Sequence, residues 1–370
     1  MNKSIVIIEN TYFTVISLRM EIINHLKKNG FNVYILSSGD SNDKAFLESH
    51  SLIVYDIGKL VSNPLSLLRY CFLMYRNLKD ITPLILFTFT IRPNIFGSLI
   101  GRLLKIPVVS NVTGIGPLFE NQSLVYKFSR FLYRFAFKKN QKVFFQNPMD
   151  YNAFLSHHFV DENQAKLLPG SGVDTEYFYP SPKKTNTETF TFLMISRLIK
   201  DKGVIEYIEA ARIVKEKYPN IIFQILGPLW SQNLKQNTIT KEQLENWENE
   251  GIITYLGQTY DVRPFIAASD CIVLPSYREG NANVLMQGGS MEKPLIASDV
   301  IGCNNLIVEN ETGFLVEVKS SISLANAMIK MIELSDERRN EMGKNARNFM
   351  KANYPKSAVL NAYEEEIIRN

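Results

Sequence analysis

The 370-residue sequence is poor in the side chains that build metal centres and covalent cross-links. It has three cysteines (Cys71, Cys271, Cys303) and four histidines (His25, His50, His157, His158). The cysteines lie too far apart for a zinc ribbon or a disulfide scaffold and fit a reducing compartment. His157-His158, with no carboxylate or metal spacing beside them, read as surface or helix-end residues. Neither His-Glu-x-x-His nor Asp-x-Asp occurs, so no motif announces a metal-centred mechanism. Long apolar runs are also missing. The most apolar region, 65–90, is broken by Arg69, Arg76, Lys79 and Asp80, which leaves no stretch of about 18 apolar residues. The run Ile5-Val6-Ile7-Ile8 stops at Glu9, too early for a signal-peptide core, and no small-residue cleavage site follows. The expectation is a soluble, cytoplasmic chain without a membrane span.

What is present is ordinary in bulk and uneven in detail. Hydrophobic residues make up 45% and charged residues 21%, values of a folded globular protein, and the length suggests two or three domains. The net charge is +4, yet residues 1–165 hold 18 Lys/Arg and 11 Asp/Glu, giving +7, and the remainder holds 23 and 26, giving −3. A basic first half beside an acidic second half suggests different partners for the two. Nucleic acid would use the same basic charges, but no recognised module accompanies them.

Short Val/Ile/Leu-rich strands alternate with helical periodicities. Strands are expected at 4–8, 32–36, 53–57, 84–89, 108–112 and 142–146, with helices at 18–29, 94–104 and 124–139. The pattern pauses in a Pro-, Gly-, Ser- and Thr-rich stretch and resumes near 191, with further helices at 203–218, 284–292, 322–334 and 337–353. Near-continuous apolar strands alternating with helices indicate α/β architecture, a parallel sheet covered on both faces. The reading is two doubly wound, Rossmann-like domains: 1–170, a linker at 171–188, a second domain at 189–352, and a C-terminal helix at 353–370 packing back on the first. In such sheets ligands sit outside the carboxyl ends of the strands, so a cleft between the domains is the expected site. The Glu-rich segment 230–251 reads as a solvated insertion.

Two loops carry candidate chemistry. Ser196-Arg197-Leu198-Ile199-Lys200-Asp201-Lys202-Gly203 follows a strand and opens a helix. That arrangement is expected to aim backbone N–H groups and two cations at an anion such as a diphosphate; an exposed basic loop is the alternative. In the second, Tyr277 to Asp299, Glu279-Gly280 lies in a loop before a helix opening near Asn283. Gln287 stands one turn in, so Glu279 and Gln287 can reach different parts of one ligand, such as a sugar and a ribose. Gly288-Gly289 within a helix costs about 1 kcal/mol each relative to Ala, which points to close packing or close ligand approach.

These residues resemble the retaining glycosyltransferases of the GT-B fold, in the large family 4 rich in bacterial surface-polysaccharide enzymes. Arg197 with Asp201-Lys202-Gly203 matches the family's diphosphate segment. Glu279-Gly280, Lys293-Pro294, Asp299 and Gly302-Cys303 match its Glu-x7-Glu region in register. The segments 90–97, 112–116 and 170–174 resemble first-domain pieces of its polyprenyl-linked-sugar branch. The resemblance implies transfer from a nucleotide sugar, a UDP-sugar, to an undecaprenyl-diphosphate-linked saccharide in capsule, O-antigen or exopolysaccharide biosynthesis. It implies retention of configuration and no cofactor or metal. Arg197, Lys202 and Glu279 take the catalytic roles. Gly227, Gly280, Asn281, Ala282, Asn283, Val284, Leu285 and Gln287 take donor binding, and Arg19, Arg92, Thr113 and Gly114 the acceptor side. A non-catalytic nucleotide-sugar-binding subunit and a nucleotide-sugar epimerase of the same fold remain alternatives.

The departures are specific. Gln287 replaces the second Glu; a Gln can accept one ribose hydroxyl and donate to the other oxygen. Asn281-Ala282-Asn283 replaces a Pro-containing loop, Glu292 stands where Gly precedes Lys-Pro, and Asn305 where an acid often follows Gly-Cys. The first strand–helix turn, residues 9–17, has no glycine. Thr113 stands nearest to where several members carry a histidine. Finally, at about 100° per residue, Lys127, Arg130, Arg134 and Lys138 share one arc of helix 124–139, beside an arc of Leu124, Phe128, Phe131, Leu132 and Phe135. That pairing suits an anionic membrane surface, the inner leaflet of the plasma membrane; an ordinary core-facing helix with a solvated basic face is the alternative.

Overall fold

The computed structural model describes residues 3–58, 63–115, 118, 123–181, 189–229 and 237–369. Its first elements are β1 (Ser4–Ile8), α1 (Tyr12–Leu18), α2 (Met20–Lys28), β2 (Asn32–Ser37), α3 (Ser41–Ser49), β3 (Ile53–Asp56) and α4 (Pro64–Ile81). Next come β4 (Ile85–Phe89), α5 (Ile91–Leu104), β5 (Val108–Val112), α6 (Leu124–Phe137), β6 (Lys142–Phe145), α7 (Pro148–Ser156) and β7 (Ala165–Leu167). After Gly170 follow β8 (Thr191–Ile195), α8 (Val204–Lys217), β9 (Ile222–Leu226), α9 (Lys241–Asn249), β10 (Thr254–Tyr255) and α10 (Arg263–Ala268). The chain closes with β11 (Cys271–Leu274), α11 (Asn283–Ser290), β12 (Leu295–Ser298), β13 (Gly313–Val316), α12 (Ser321–Glu333), α13 (Asp336–Asn353) and α14 (Lys356–Ile368).

Two compact units result: 1–170 with 358–370, and 171–357. The first holds a seven-stranded sheet in the order β3-β2-β1-β4-β5-β6-β7, the second a six-stranded sheet in the order β10-β9-β8-β11-β12-β13. Among the described residues, every ladder between these strands is parallel. The two-residue period of a strand decides which helix covers what. In the first sheet Ile5, Ile7, Phe87 and Phe89 pack with α1, α2, α3 and α14. Their neighbours Val6, Ile8, Leu86 and Val108 face α4 and α5, and Val143 and Phe145 face α6 and α7. In the second, Phe192, Met194, Cys271 and Val273 pack with α8, α9 and α12. Leu193, Ile272 and Leu274 face α11.

Three expectations change. Residues 171–178, read as linker, lie in the second unit: Val173 and Phe178 are in its core, and the Val173 N–H donates to Tyr354 O at 2.9 Å. Residues 182–188 lie outside the described residues. Of the Glu-rich segment, 230–236 lie outside the described residues, and the rest is no free insertion, because Leu244 and Trp247 of α9 are buried, three residues apart on one face. The apolar region at 64–81, left unassigned above, is the 18-residue helix α4. Among the described residues no helix is long and apolar enough to cross a membrane.

The end of α11 explains one departure. Lys293 N–H donates to Gly288 O and Glu292 N–H to Gly289 O, both at 3.0 Å, the paired bonds of a Schellman close. Glu292 therefore sits at φ +59°, where glycine carries no Cβ penalty. Glu292→Gly is expected to raise unfolding free energy by about 1 kcal/mol, read from urea denaturation; an unchanged or lowered midpoint would remove the strain.

Candidate active site

β8 and β11 are neighbours in the second sheet, so the loops after them emerge side by side. Tyr277 N–H donates to Asp201 O at 2.8 Å, and Ser276 Oγ donates to the same carbonyl at 3.2 Å. The Tyr277 hydroxyl reaches Glu206 Oε1, in the first turn of α8, at 2.6 Å. Gly203 allows this closeness: it sits at φ +75°, and a Cβ there would come within 2.0 Å of Pro275 O.

Between the stitched loops Lys202 Nζ and Glu279 Oε1 stand 2.5 Å apart, their side chains 14% and 13% exposed. Arg197, one loop residue beyond Ser196, is solvent-accessible. Desolvation nevertheless lowers its pKa, while the Glu279 carboxylate raises it; a guanidinium remains charged in either case. Glu279 is thus the acid that both cations sense. Cys303 lies close enough to feel Glu279 and Lys202, but burial pushes its thiol well up, so it packs and is no nucleophile. The Glu279 backbone leans on Gly302, which has φ +86°; a Cβ there would meet Glu279 O at 2.6 Å and Glu279 Cβ at 2.9 Å. Gly302 O in turn accepts the Ala282 N–H at 2.9 Å.

The expected cradle of backbone N–H groups around 198–203 is corrected. Those of Leu198, Ile199, Lys200, Lys202 and Gly203 donate to Pro228, Arg197, Asn237, Ile199 and Lys200 carbonyls. That of Asp201 donates to Asn237 Oδ1. A short 3-10 turn at Lys200–Lys202 and its Asn237 strap consume them, so the loop offers side-chain cations, not amides. At the start of α11, Asn283 N–H turns back on Asn281 O and Leu285 N–H on Ala282 O, and Ser171 Oγ donates to Asn283 Oδ1. Asn281 is buried with its Oδ1 lacking a partner. Val284 and Leu285 are also buried, Gly280 is half-buried, and Gln287 is half-buried one turn into α11. Gly227 packs against Ser196 O and gives its N–H to Gly257 O at 2.7 Å, so its contribution is to the shape of the β9 end. Gly288 and Gly289 answer to packing: their Cβ positions abut Ile272 and Met350.

In the first unit Arg92 is exposed in the first turn of α5, and Thr113-Gly114, half-buried, directly follow β5. Both lie at the carboxyl ends of the adjacent strands β4 and β5. Arg19 differs from expectation. It is 3% exposed, its Nε bonded to Glu9 Oε2 at 3.0 Å and its guanidinium 4.0 Å from the Phe89 ring centroid. A buried guanidinium held by a carboxylate and a ring face supports the turn and presents nothing to an acceptor. The pair closes the glycine-less first turn: Glu9 Oε1 accepts Asn10 N–H at 2.9 Å and Thr90 Oγ1 at 3.4 Å. Spacing alone does not mark Glu9, because a lone acid after an apolar strand reads as a strand end.

On α6 the aromatic arc faces outward. Phe128, Phe131 and Phe135 are each more than half exposed, while Tyr133, Ala136 and Phe137 are buried. Lys127, Arg134 and Lys138 are exposed. Arg130 is not part of that surface, since its Nη1 donates to Leu118 O at 2.7 Å. Leu132 is half-buried beside the core, and the side chain of Leu124 lies outside the described residues.

Comparison with known proteins places the whole chain in context. The profile for glycosyl transferases group 1 matches residues 178–349, and that for glycosyl transferase 4-like domains matches 6–147. The Escherichia coli UDP-Gal:alpha-D-GlcNAc-diphosphoundecaprenol alpha-1,3-galactosyltransferase is 31% identical over 74% of this chain and 72% of its own. The Campylobacter jejuni N,N'-diacetylbacillosaminyl-diphospho-undecaprenol alpha-1,3-N-acetylgalactosaminyltransferase is 25% identical over 96% and 93%. Among solved structures, Anabaena HepE in complex with UDP and glucose superposes with TM-score 0.81 at 18% identity over the full length of both chains.

Two outcomes test this geometry. Arg19→Ala strands a buried carboxylate and is expected to cost about 3–5 kcal/mol of unfolding free energy, measured by denaturation. A loss below about 1 kcal/mol, with a raised KM for acceptor, would restore Arg19 to the acceptor side. Gly302→Ala is expected to cut turnover at least about tenfold by displacing Glu279. The control is Gly251→Ala, with φ +69° and nothing within 4 Å of the Cβ position, which carries the backbone strain alone. Equal activity in the two variants would show that Gly302 does not position the acid.

Proposed function

The chain belongs to the group 1, family 4-like glycosyltransferases, and on that footing we propose that it moves a sugar, with retention, from a UDP-sugar to an undecaprenyl-diphosphate-linked saccharide during surface-polysaccharide assembly. The observation that carries the reading is the Lys202–Glu279 pair at 2.5 Å beside Arg197. It sits at the carboxyl ends of β8 and β11, where an open α/β sheet binds ligands. The acceptor class rests on the two relatives named for undecaprenol-linked substrates.

With no donor bound, the acid and the ammonium neutralise each other. An arriving diphosphate competes for Lys202 and takes up Arg197. Glu279, released from Lys202, accepts hydrogen bonds from the donor-sugar hydroxyls, and Gln287 meets the ribose. The anomeric C–O bond to the β-phosphate breaks with its electron pair going to the phosphate oxygen, where the two cations stabilise the growing charge. The acceptor hydroxyl attacks the oxocarbenium-like carbon from the same face, and its proton goes to the departing phosphate. The two side-chain cations take the electrostatic role at the departing phosphate, which is the basis for proposing transfer without a metal. The acceptor's polyprenyl tail implies a bilayer, and α6 is the element we assign to its anionic surface at the inner leaflet. Gln287 in place of an acid favours a second reading, a nucleotide-sugar-binding subunit without turnover.

The test is acceptor-dependent release of nucleoside diphosphate from a panel of nucleotide sugars, with chelator present. Release that needs the lipid-linked acceptor supports transfer; binding without release across acceptors supports the second reading. Arg197→Ala is expected to lower kcat/KM by roughly 10²-fold or more. Glu279→Gln is expected to abolish most transfer yet bind UDP more tightly, because Lys202 is unpaired. Weaker UDP binding in that variant would refute the exchange of partners.

A further inference from the structure

Helix α4 has two apolar faces. At about 100° per residue, the buried Tyr70, Met74 and Leu78 span an arc of roughly 80° on the core side. Leu65, Leu68 and Phe72 share a second arc of roughly 60°, facing the opposite way. The structure leaves them 78%, 66% and 62% exposed. Arg69 and Arg76 are exposed and fall beside this outer arc, within roughly 60° of Phe72.

The same plan recurs on α6, where the outward phenylalanines lie roughly 160° from the buried Tyr133, Ala136 and Phe137. The two helices belong to one layer. α4 packs on α5 and α5 on α6, and all three cover the same face of the first sheet. Between them α5 exposes Leu103, with Arg102 stacked 5.4 Å from the Phe135 ring centroid. The charge on this layer is one-sided. The 46 residues of α4, α5 and α6 carry eight Lys/Arg and a single acid, Asp80.

We infer that α4 is a second lipid-contact element, and that α4 and α6 together seat the first unit on an anionic bilayer. Leu65, Leu68 and Phe72 enter the acyl boundary while the flanking arginines meet headgroup phosphates. Apolar side chains flanked by arginines on α4, beside the outward phenylalanines and exposed Lys127 and Arg134 of α6, are what an interfacial sheet of anionic lipid calls for. The inference deepens the proposed function by stating how much of the first unit meets the lipid that carries the acceptor.

The experiment is co-sedimentation of the full chain with phosphatidylcholine vesicles, with and without phosphatidylglycerol. The variant is Leu65→Ser/Leu68→Ser/Phe72→Ser. Its partition onto phosphatidylglycerol vesicles is expected to fall roughly tenfold, with thermal unfolding and transfer to a short-chain, water-soluble acceptor unchanged. In high salt, the wild type is expected to keep a residual binding that the variant lacks, since screening removes only the charge contribution. As a second measurement, Leu68→Trp fluorescence is expected to be quenched by brominated lipid in the same vesicles. Unchanged partition, or no quenching, overturns the assignment. So does self-association of the wild type without lipid that the triple variant abolishes while its partition onto vesicles stays normal. Absence of transfer with any acceptor, alongside lost partition in the variant, would sink the proposed function and leave the surface standing. Transfer with unchanged partition would do the reverse.

Discussion

The adjacency of β8 and β11 is the constraint on which the candidate site depends. Lys202 and Glu279 are 77 positions apart in sequence, and only strand pairing brings their loops into register. Once together, and mostly withdrawn from water, each ion compensates the other's lost hydration. The same reduced solvation makes the pair sensitive to a third charge, because Coulomb interactions strengthen as the local dielectric falls. On the proposed reading, a diphosphate entering beside Arg197 and Lys202 would compete with Glu279 for the ammonium.

The loops around that pair are shaped by steric contact more than by free amides. Their N–H groups are engaged internally from Leu198 to Gly203, which fixes the backbone before any ligand arrives. Fixed loops carry their side chains as preorganised groups, and preorganisation is what an electrostatic site needs. Gly203 and Gly302 mark the two places where main chains approach too closely for a Cβ. Glu292 shows the complementary case, a side chain tolerated at a helix close where its backbone conformation favours glycine.

The first unit solves a similar problem differently. Its opening turn lacks glycine, and the buried Glu9–Arg19 pair, backed by Phe89, closes it instead. The same unit carries a helix layer whose outer faces are apolar and cationic, while its core faces are ordinary. A helix that is apolar on two opposite sides shows no single stripe in its sequence. α4 and α6 share that plan, and α6 was legible because its cations at 127, 130, 134 and 138 keep a helical period of their own.

The sequence by itself determined the α/β class, the parallel strands, the division near residue 170 and the family, because these rest on local periodicity and on motifs whose parts lie within a few residues of one another. It also brought Arg197, Lys202 and Glu279 forward as the charged residues of two separate loops. Tertiary structure alone decided that Lys202 and Glu279 form one ion pair, that Gly302 supports the acid from behind, and that Gly227, Gly288 and Gly289 serve packing. It also withdrew Arg19 and Arg130 from the roles their positions suggested. The physical reason is common to all of these. Whether a charge or a glycine is free or engaged depends on what a distant segment places against it, and one-dimensional spacing carries no record of that neighbour.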